Sequence, residues 1–123
     1  MKIDLSGQKI LVTGASRGIG RAIAEQLAAS GAQVAVHYNR NANTAQHVVD
    51  NIGKGAEAFQ ADLGKPVEVI QLFDNVVAKF GRLHAIVNNA GISGADRAVH
   101  ELAEEEFKQV MDVNVTGVFF CTK

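Results

Sequence analysis

Apolar positions in this chain follow two spacings: short continuous runs, and longer stretches in which they recur every three or four residues. Short runs are typical of strands buried inside a parallel sheet, and the second spacing is typical of helices with one buried face. Gly31 and Gly81 close two of the helical stretches and Pro66 opens one. The pattern predicts strands over residues 9–12, 33–38, 56–61 and 83–87, and helices over residues 18–30, about 43–52, 66–80 and from about 103 or 104 onward.

These strand and helix segments alternate with a period of roughly 25 to 30 residues, as βαβ units do. Because such crossovers are right-handed, a doubly wound arrangement places the strands in the order 3-2-1-4. We therefore predict an α/β fold of the Rossmann type, a parallel sheet between two helical layers, that stops before a fifth strand. Ligands of such folds bind beyond the strand ends, at the switch point between strands one and four.

The stretch from Thr13 to Gly20, Thr-Gly-Ala-Ser-Arg-Gly-Ile-Gly, joins the first predicted strand to the first helix. Gly14 can leave the strand in a conformation that a Cβ would resist, and Gly18 lets backbone N–H groups approach an anion. Gly20 lets the first helical turn lie close to the strand. The spacing predicts a phosphate-binding turn, with a tight turn that binds nothing as the alternative. No Gly-Lys-Ser/Thr follows, which argues against a kinase or ATPase.

The composition is that of one globular domain: 123 residues, 47% hydrophobic and 20% charged, with a formal net charge of −1. Without a basic block, neither nucleic acid nor an anionic membrane is a favoured partner, and no apolar run reaches the ~20 residues that span a bilayer. The single cysteine, Cys121, favours a reducing cytoplasm over a disulfide framework. The histidines have no metal-ligand spacing, so we expect no metal site. We interpret them as surface or loop residues: His37, His47, His84 and His100.

Two more motifs accompany the glycine turn. Asn88-Asn89-Ala90-Gly91 follows the fourth predicted strand and so falls at the same switch point, and Asn114 lies within Met-Asp-Val-Asn-Val-Thr-Gly-Val-Phe. In this order and spacing, the three motifs resemble the short-chain dehydrogenase/reductase family, in particular its NADP(H)-preferring reductases. The resemblance implies an oxidoreductase that interconverts a carbonyl and an alcohol by hydride transfer. The rim of the substrate pocket is expected at Ile92, Ser93, Gly94, Ala95 and Asp96.

The resemblance also implies cofactor contacts, residue by residue. Asp62 would hold the adenine amino group, a bond that suits a carboxylate, and it is also placed to bond free N–H groups ahead of the third helix. Asn88 and Asn89 resemble a pair that ties the strand ends to the cofactor floor through side-chain bonds to backbone, although the motif is also good turn chemistry by itself. The implied cofactor-binding residues are Gly14, Ser16, Arg17, Gly18, Ile19, Gly20, Tyr38, Asn39, Arg40, Asp62, Leu63, Asn89, Ala90 and Gly91.

The residues at the end of the second strand predict which cofactor binds. A carboxylate there would hold the ribose 2′-hydroxyl of NAD, whereas arginine suits the 2′-phosphate of NADP. The strand ends in His37-Tyr38-Asn39-Arg40, with no acidic residue, and Arg17 projects from the nearby glycine turn. We therefore predict NADP(H). For Arg40 the alternative is a solvated loop cation.

Asn114 and Gly117 are unfavourable in a helix interior, by up to about 0.7 to 1 kcal/mol each against alanine. They lie among apolar residues of the last predicted helix. Two residues of low helix propensity so close together suggest a functional reason for their presence. By resemblance, Asn114 belongs to a catalytic tetrad, bends the helix and holds a water on a proton relay. The alternative is a side chain that bonds an upstream carbonyl.

The other tetrad members of the family, a serine and a Tyr-x-x-x-Lys pair, are not found here, and the one tyrosine is Tyr38. A dinucleotide needs two mononucleotide-binding halves, so we expect residues 1–123 to be the amino-terminal half of a reductase, inactive alone. From Val113 the last helix is apolar nearly all round, which favours a homo-oligomer through that helix. The alternatives are a non-catalytic nucleotide-binding or association module and a fragment that binds nothing.

Helix starts give weaker signals. Asn41 or Asn43 is the expected cap of the second helix. Lys65 and Ala103 stand where the third and last helices should have a cap, and neither side chain can accept a hydrogen bond from a free N–H. A missing cap typically costs about 1 kcal/mol.

Overall fold

The computed structural model describes residues 3–92 and 98–123, and these residues form a four-stranded parallel sheet. Its strands are β1 (Lys9–Val12), β2 (Gln33–Tyr38), β3 (Glu57–Gln60) and β4 (Ala85–Val87). Their spatial order is β3-β2-β1-β4 and each neighbouring pair is parallel, which confirms the predicted order and the doubly wound α/β class. In register, Val12 at the end of β1 lies between Val36 and Val87.

Helices connect the strands and cover both faces of the sheet. They are α1 (Gly18–Ala29), α2 (Ala42–Ile52) and α3 (Pro66–Phe80), then a 3-10 turn (Val99–Glu101), α4 (Glu104–Met111), a π-helical segment (Asp112–Thr116) and α5 (Gly117–Thr122). The contiguous unit of α4, the π-helical segment and α5 is called the last helix below. None of the helices in the described ranges combines the length and apolarity needed to cross a membrane.

Each face of the sheet has its own hydrophobic core, because successive strand side chains point to opposite faces. On one face, Val12, Val34 and Val36 pack with Ala24 of α1 and Val48 of α2, and all five are fully buried. The opposite core, toward α3 and the last helix, includes Leu11, Ala35, Val69, Leu72, Val76 and Cys121. Each fully buried valine or leucine contributes about 1.5–3 kcal/mol, so the two cores hold the strand ends firmly in place.

The predicted boundaries are most accurate where glycine or proline marks them. β1, β2 and α3 have the predicted ends, and Gly81 after α3 has φ +86°. α1 ends at Ala29, one residue early, and Gly31 has φ +103°, as expected for a left-handed cap. β3 and β4 are shorter than predicted, because pairing covers only residues 57–60 and 85–87.

The caps agree in part with the sequence. Lys65 and Ala103 occupy the N-cap positions of α3 and α4, and neither makes a side-chain cap hydrogen bond, as predicted. α2 begins at Ala42 with Asn41 at its N-cap, but the Asn41 side chain makes no cap hydrogen bond either. The expected cap position is therefore confirmed for Asn41, whereas Asn43 lies inside the helix, and the side-chain cap bond that such a residue usually makes is not formed.

The last helix changes its hydrogen-bond spacing around Asn114, which lies within the π-helical segment. Single π-helical turns are frequent at functional sites. Gly117 follows this segment and is buried, and a Cβ added to it would lie 2.6 Å from the carbonyl oxygen of Leu63. Glycine is thus required here by close packing of the last helix against the backbone after β3.

Candidate cofactor-binding site

A cavity of about 630 Å³ opens at the carboxyl ends of the strands, between the glycine turn and the last helix. Every residue predicted to bind the cofactor lines it except Gly20. Ile92 of the predicted rim also lines it, whereas Ser93, Gly94, Ala95 and Asp96 lie outside the described residues. The cavity also includes residues that the sequence did not indicate: His37, Asn41, Ala61, Gln109 and Val113.

The N-terminus of α1 faces this cavity without a side-chain cap. Arg17 is its N-cap residue and makes no side-chain cap hydrogen bond, and the first turn of the helix contains no acidic residue. Gly18 has φ +60°, and a Cβ added there would meet none of the described atoms within 4 Å. Free N–H groups, open space and the positive end of the helix dipole together suit a phosphate group.

Gly20 lies behind the turn instead of in the cavity. A Cβ added to Gly20 would lie 2.9 Å from the carbonyl carbon of Gly14 and would overlap the carbonyl oxygen. Gly14 itself has φ +63°, and its added Cβ would lie 2.9 Å from the Cα of Ala90. The predicted close packing at Gly20 is confirmed, and it brings α1, the turn and the loop after β4 into direct backbone contact.

The side chains of Thr13 and Asn89 tie the turn to the end of β4. Asn89 donates its side-chain amide to the carbonyl oxygens of Thr13 and Gly14, both at 3.1 Å, which confirms the predicted side-chain to backbone bonds. The Thr13 hydroxyl accepts the N–H groups of Asn89 and Ala90 at 3.0 and 2.9 Å. It also donates to the carbonyl oxygen of Val87 at 3.3 Å. The sequence did not indicate this role, because a threonine after an apolar strand has no distinctive signal.

Asn88 does not share the role of Asn89, so that part of the prediction is wrong. Its side-chain amide donates to the Thr122 hydroxyl at 3.2 Å and thus connects the end of β4 to α5. The two adjacent asparagines therefore bond different parts of the chain, Asn89 the glycine turn and Asn88 the last helix.

His37 contradicts the expectation that the histidines are surface or loop residues. It is 2% exposed, and its Nδ1 accepts the backbone N–H of Gly14 at 2.9 Å. Its Nε2 lies 2.9 Å from the carbonyl oxygen of Ala61. Burial lowers the pKa of His37, and the hydrogen bond to Ala61 opposes that shift. The signal that could have found it is the position of His37 in a strand buried on both faces.

Asp62, which lines the cavity after β3, shapes the start of α3. Its Oδ1 accepts the N–H of Gly64 at 2.9 Å, and its own N–H donates to Oε1 of Glu68 at 3.0 Å. Lys65 lies 3.9 Å from Oδ2 of Asp62. Asp62 therefore bonds a free N–H ahead of α3, that of Gly64, as the sequence predicted. A carboxylate oxygen can accept more than one hydrogen bond, so this arrangement leaves capacity for a donor in the cavity.

Two arginines line the cavity near the glycine turn and the end of β2, and no acidic residue directly follows that strand. Arg17 and Arg40 are exposed and both line the cavity, together with Tyr38 and Asn39. Neither arginine forms an ion pair with any residue in the described ranges. Two guanidinium groups that line the cavity without a carboxylate partner among the described residues favour an anionic ligand group there.

Asn114 does not line the cavity but holds a segment that does. Its Oδ1 accepts the N–H of Ile92 at 2.8 Å, and its Nδ2 donates to the carbonyl oxygen of Ile92 at 2.7 Å. The bonded carbonyl is upstream in the chain, as the alternative interpretation required, but it belongs to the loop after β4. Asn114 therefore joins the π-helical segment to the backbone beside Gly91.

The parallel sheet, the glycine turn after its first strand and the cavity over the switch point define a dinucleotide-binding fold of the Rossmann type. Residues 8–123 match the family model for short chain dehydrogenase. The chain belongs to this family, as the three motifs predicted.

Individual relatives agree with this assignment. A 3-oxoacyl-(acyl-carrier-protein) reductase of Staphylococcus epidermidis is 47% identical over 114 residues, which cover 90% of this chain and 46% of the relative. A short chain dehydrogenase from Burkholderia cenocepacia J2315, solved in complex with NADP, has a TM-score of 0.91 and 44% identity, covering 96% of this chain and 49% of that one. A 3-ketoacyl-(acyl-carrier-protein) reductase from Brucella melitensis, complexed with NADH, has a TM-score of 0.90 and 35% identity, and the match covers 97% of this chain and 48% of that one. The chain spans about half the length of the curated relatives it matches.

Proposed function

We propose that this chain is the cofactor-binding part of an NADP(H)-dependent oxidoreductase that interconverts a carbonyl and an alcohol. The observation that carries the proposal is the uncapped N-terminus of α1, open to a cavity that Arg17, Arg40 and Asp62 also line. Related structures contain NADP or NADH, which supports a nicotinamide cofactor for this chain as well.

The residues around the glycine turn fit a dinucleotide. The N–H groups of Gly18 and Ile19 and the hydroxyl of Ser16 would hold the pyrophosphate, because all three residues line the cavity at the helix N-terminus. Asp62 would accept from the adenine amino group, with Leu63 beside the ring. Ala90 and Gly91 would leave room for the nicotinamide ribose, since among the described residues a Cβ at residue 91 would meet Asn114 alone, at 3.4 Å from its Oδ1.

The preference for NADP over NAD rests on charge. Arg17 and Arg40 would pair with the 2′-phosphate, and Tyr38 and Asn39 line the same end of the cavity. No carboxylate follows β2 to hold a free ribose 2′-hydroxyl in its place. A hydrogen bond to a charged group contributes about 1.5–3 kcal/mol, so the two arginines are sufficient to decide the preference.

The bound cofactor supplies the hydride chemistry, and this chain supplies binding and orientation. Asn114 would act by holding the Ile92 backbone beside the nicotinamide end of the site, and the family's proton relay would run past it. The serine, tyrosine and lysine of the family tetrad have no counterpart at matching positions in this sequence, so the chain alone is expected to be inactive. We propose that the rest of a longer protein supplies them.

The proposed partner of the last helix is a second copy of this protein. Phe107, Met111, Val115 and Phe119 are between 40% and 60% exposed and recur every four residues along this helix. An exposed apolar stripe of this kind is typical of an association surface. Sedimentation of the complete protein, with Phe119→Lys for comparison, tests the proposal, and an unchanged oligomeric state would contradict it.

The proposed cofactor is tested by fluorescence titration of the complete protein with NADPH and NADH. We expect tighter binding of NADPH, and a loss of about 10- to 100-fold in NADPH affinity for Arg17→Ala/Arg40→Ala with little change for NADH. Arg82→Ala is the matched control, because Arg82 is exposed and does not line the cavity.

Three outcomes distinguish the hypotheses. An unchanged NADPH preference in the double variant would refute the arginine assignment. Binding without any carbonyl reduction in the complete protein would favour a non-catalytic nucleotide-binding module. No binding of either nucleotide would refute the proposed function.

A further inference from the structure

His37 connects three segments at the floor of the cavity. Its Nδ1 accepts the N–H of Gly14, and its Nε2 bonds the carbonyl oxygen of Ala61, both at 2.9 Å. Its backbone carbonyl oxygen accepts the N–H of Ala15, also at 2.9 Å. One residue of β2 thus holds two consecutive N–H groups of the glycine turn and links them to the end of β3.

The contact with Gly14 determines which ring nitrogen of His37 has the proton. A backbone N–H can only donate, so Nδ1 must be unprotonated in order to accept it. The proton of the neutral ring is then on Nε2, where it donates to Ala61. Both ring nitrogens have a partner only in this neutral form, because a protonated Nδ1 would direct its hydrogen at the N–H of Gly14.

We propose that neutral His37 is a positioning residue for the cofactor: it fixes the Gly14 peptide at the start of the phosphate-binding turn, and its protonation releases the turn and weakens binding. This inference rests on the cofactor binding proposed above. The carbonyl oxygen of Gly14 is already held by Asn89 at 3.1 Å. Together, His37 and Asn89 therefore fix the peptide groups on both sides of Gly14.

No hydrogen bond or ion pair joins the His37 ring to a carboxylate within residues 3–92 and 98–123. Burial lowers the pKa of His37, and the shift is opposed by the backbone hydrogen bond to Ala61 and not by a nearby charge. Ionisable side chains lie on or next to each strand and helix around the ring. On the strands and the turns after them they are Lys9, Arg17, Tyr38, Arg40, Glu57 and Asp62; on the helices and their N-caps they are Arg21, Glu25, His47, Asp50, Lys65 and Glu68. Of the charged ones, only Arg17, Arg40 and Asp62 line the same cavity, and Asp62 is engaged with Gly64.

Two substitutions distinguish the effect of the His37 hydrogen bond on cofactor binding from the effect of its side-chain volume. His37→Asn keeps an acceptor at the δ position for the N–H of Gly14 and does not titrate. His37→Leu has a comparable volume and no acceptor. At about pH 8, where the ring is neutral, we expect His37→Asn to bind NADPH within about twofold of the unsubstituted protein and His37→Leu to bind about fivefold to tenfold more weakly.

The pH dependence is the readout that a purely structural role would not produce. From about pH 8 to about pH 5, the NADPH affinity of the unsubstituted complete protein should fall more steeply than that of His37→Asn. The Asn variant thereby corrects for titration of the nucleotide itself. Circular dichroism at each pH verifies that both proteins stay folded over the range compared.

A second readout needs no cofactor. Nitrogen-15 NMR of the cofactor-free protein should show the Nε2–H form of His37, and the Gly14 amide should exchange with solvent faster in His37→Leu than in His37→Asn. If the unsubstituted protein binds NADPH but His37→Leu binds equally well, or the pH profiles of the unsubstituted protein and His37→Asn coincide, the inference is overturned and the proposed function stands. If the unsubstituted protein binds neither NADPH nor NADH, both are overturned.

Discussion

Gly20 packs directly against the carbonyl group of Gly14, so that a Cβ added at residue 20 would lie 2.9 Å from the Gly14 carbonyl carbon. That carbonyl is held by Asn89, whose side-chain amide the same Cβ would also overlap. Because none of these groups is the free end of a flexible side chain, Gly20→Ala is expected to destabilise the protein by about 2–3 kcal/mol. Urea unfolding of the complete protein measures this loss.

Gly18→Ala is the matched comparison. A Cβ there meets none of the described atoms within 4 Å, although φ is +60°. The left-handed backbone alone costs about 1–2 kcal/mol, so the stability loss should be smaller than for Gly20→Ala. The methyl group would nevertheless project into the space proposed for the pyrophosphate, and NADPH affinity should fall at least tenfold. A larger loss of stability for Gly18→Ala than for Gly20→Ala would contradict this division of roles.

The Thr13 hydroxyl should contribute more to the free energy of unfolding than its small size suggests. Thr13→Val keeps the shape of this 1% exposed side chain but removes the acceptor of the Ala90 N–H, whereas the N–H of Asn89 keeps its second acceptor, the carbonyl oxygen of Val87 at 3.1 Å. An unsatisfied buried donor costs about 1–3 kcal/mol, so we expect a loss of about 1–3 kcal/mol in unfolding free energy for Thr13→Val. Thr13→Ser keeps the hydroxyl and should lose much less. Equal losses for the two variants would assign the effect to packing.

The glycine turn could be predicted because its chemistry is local. Gly14, Gly18 and Gly20 lie within one strand-turn-helix unit, and their spacing alone indicates an open helix N-terminus. The same holds for α3, which Pro66 and Gly81 delimit. In contrast, the roles of Thr13 and His37 depend on the register between strands, which no short motif encodes.

The strand register explains the buried position of His37. Val12 pairs with Val36, so the residue after Val36 comes beside the point where β1 passes into the glycine turn. From the sequence, a histidine near the end of a strand is equally compatible with a solvated loop. Asn88 shows the same limit, because the sequence contains two adjacent asparagines and only the three-dimensional arrangement decides which one faces Thr13.

The start of α4 offers a stabilising substitution. Ala103 occupies the N-cap with extended backbone angles, φ −71° and ψ 148°, and its side chain cannot accept a free N–H. In Ala103→Ser, the hydroxyl can accept an N–H of the first turn, and Glu106 is at the position of a capping box. We expect a gain of about 1 kcal/mol, measured by thermal unfolding. Ala103→Val, which adds no acceptor, is the control, and an equal gain there would show that residue 103 is not the cap.

His37 should also make folding stability depend on pH. Its pKa in the folded protein is lower than its ordinary value of 6.5, because the ring is buried. Between the two pKa values the unfolded chain binds more protons than the folded one, so the free energy of unfolding rises with pH in that window. The contribution is fully present above the ordinary pKa and is lost as the pH falls through 6.5 toward the folded pKa.

Urea unfolding at a series of pH values tests this sign. Over the window just below the ordinary histidine pKa, the unsubstituted protein should lose stability by up to about 1.4 kcal/mol per pH unit more than His37→Asn, which has no titrating ring. The difference between the two proteins cancels the contributions of the other histidines and carboxylates, because those groups are common to both. Parallel stability curves would mean that His37 is protonated equally easily in the folded and unfolded chains, which would contradict both its burial and its bond to Gly14.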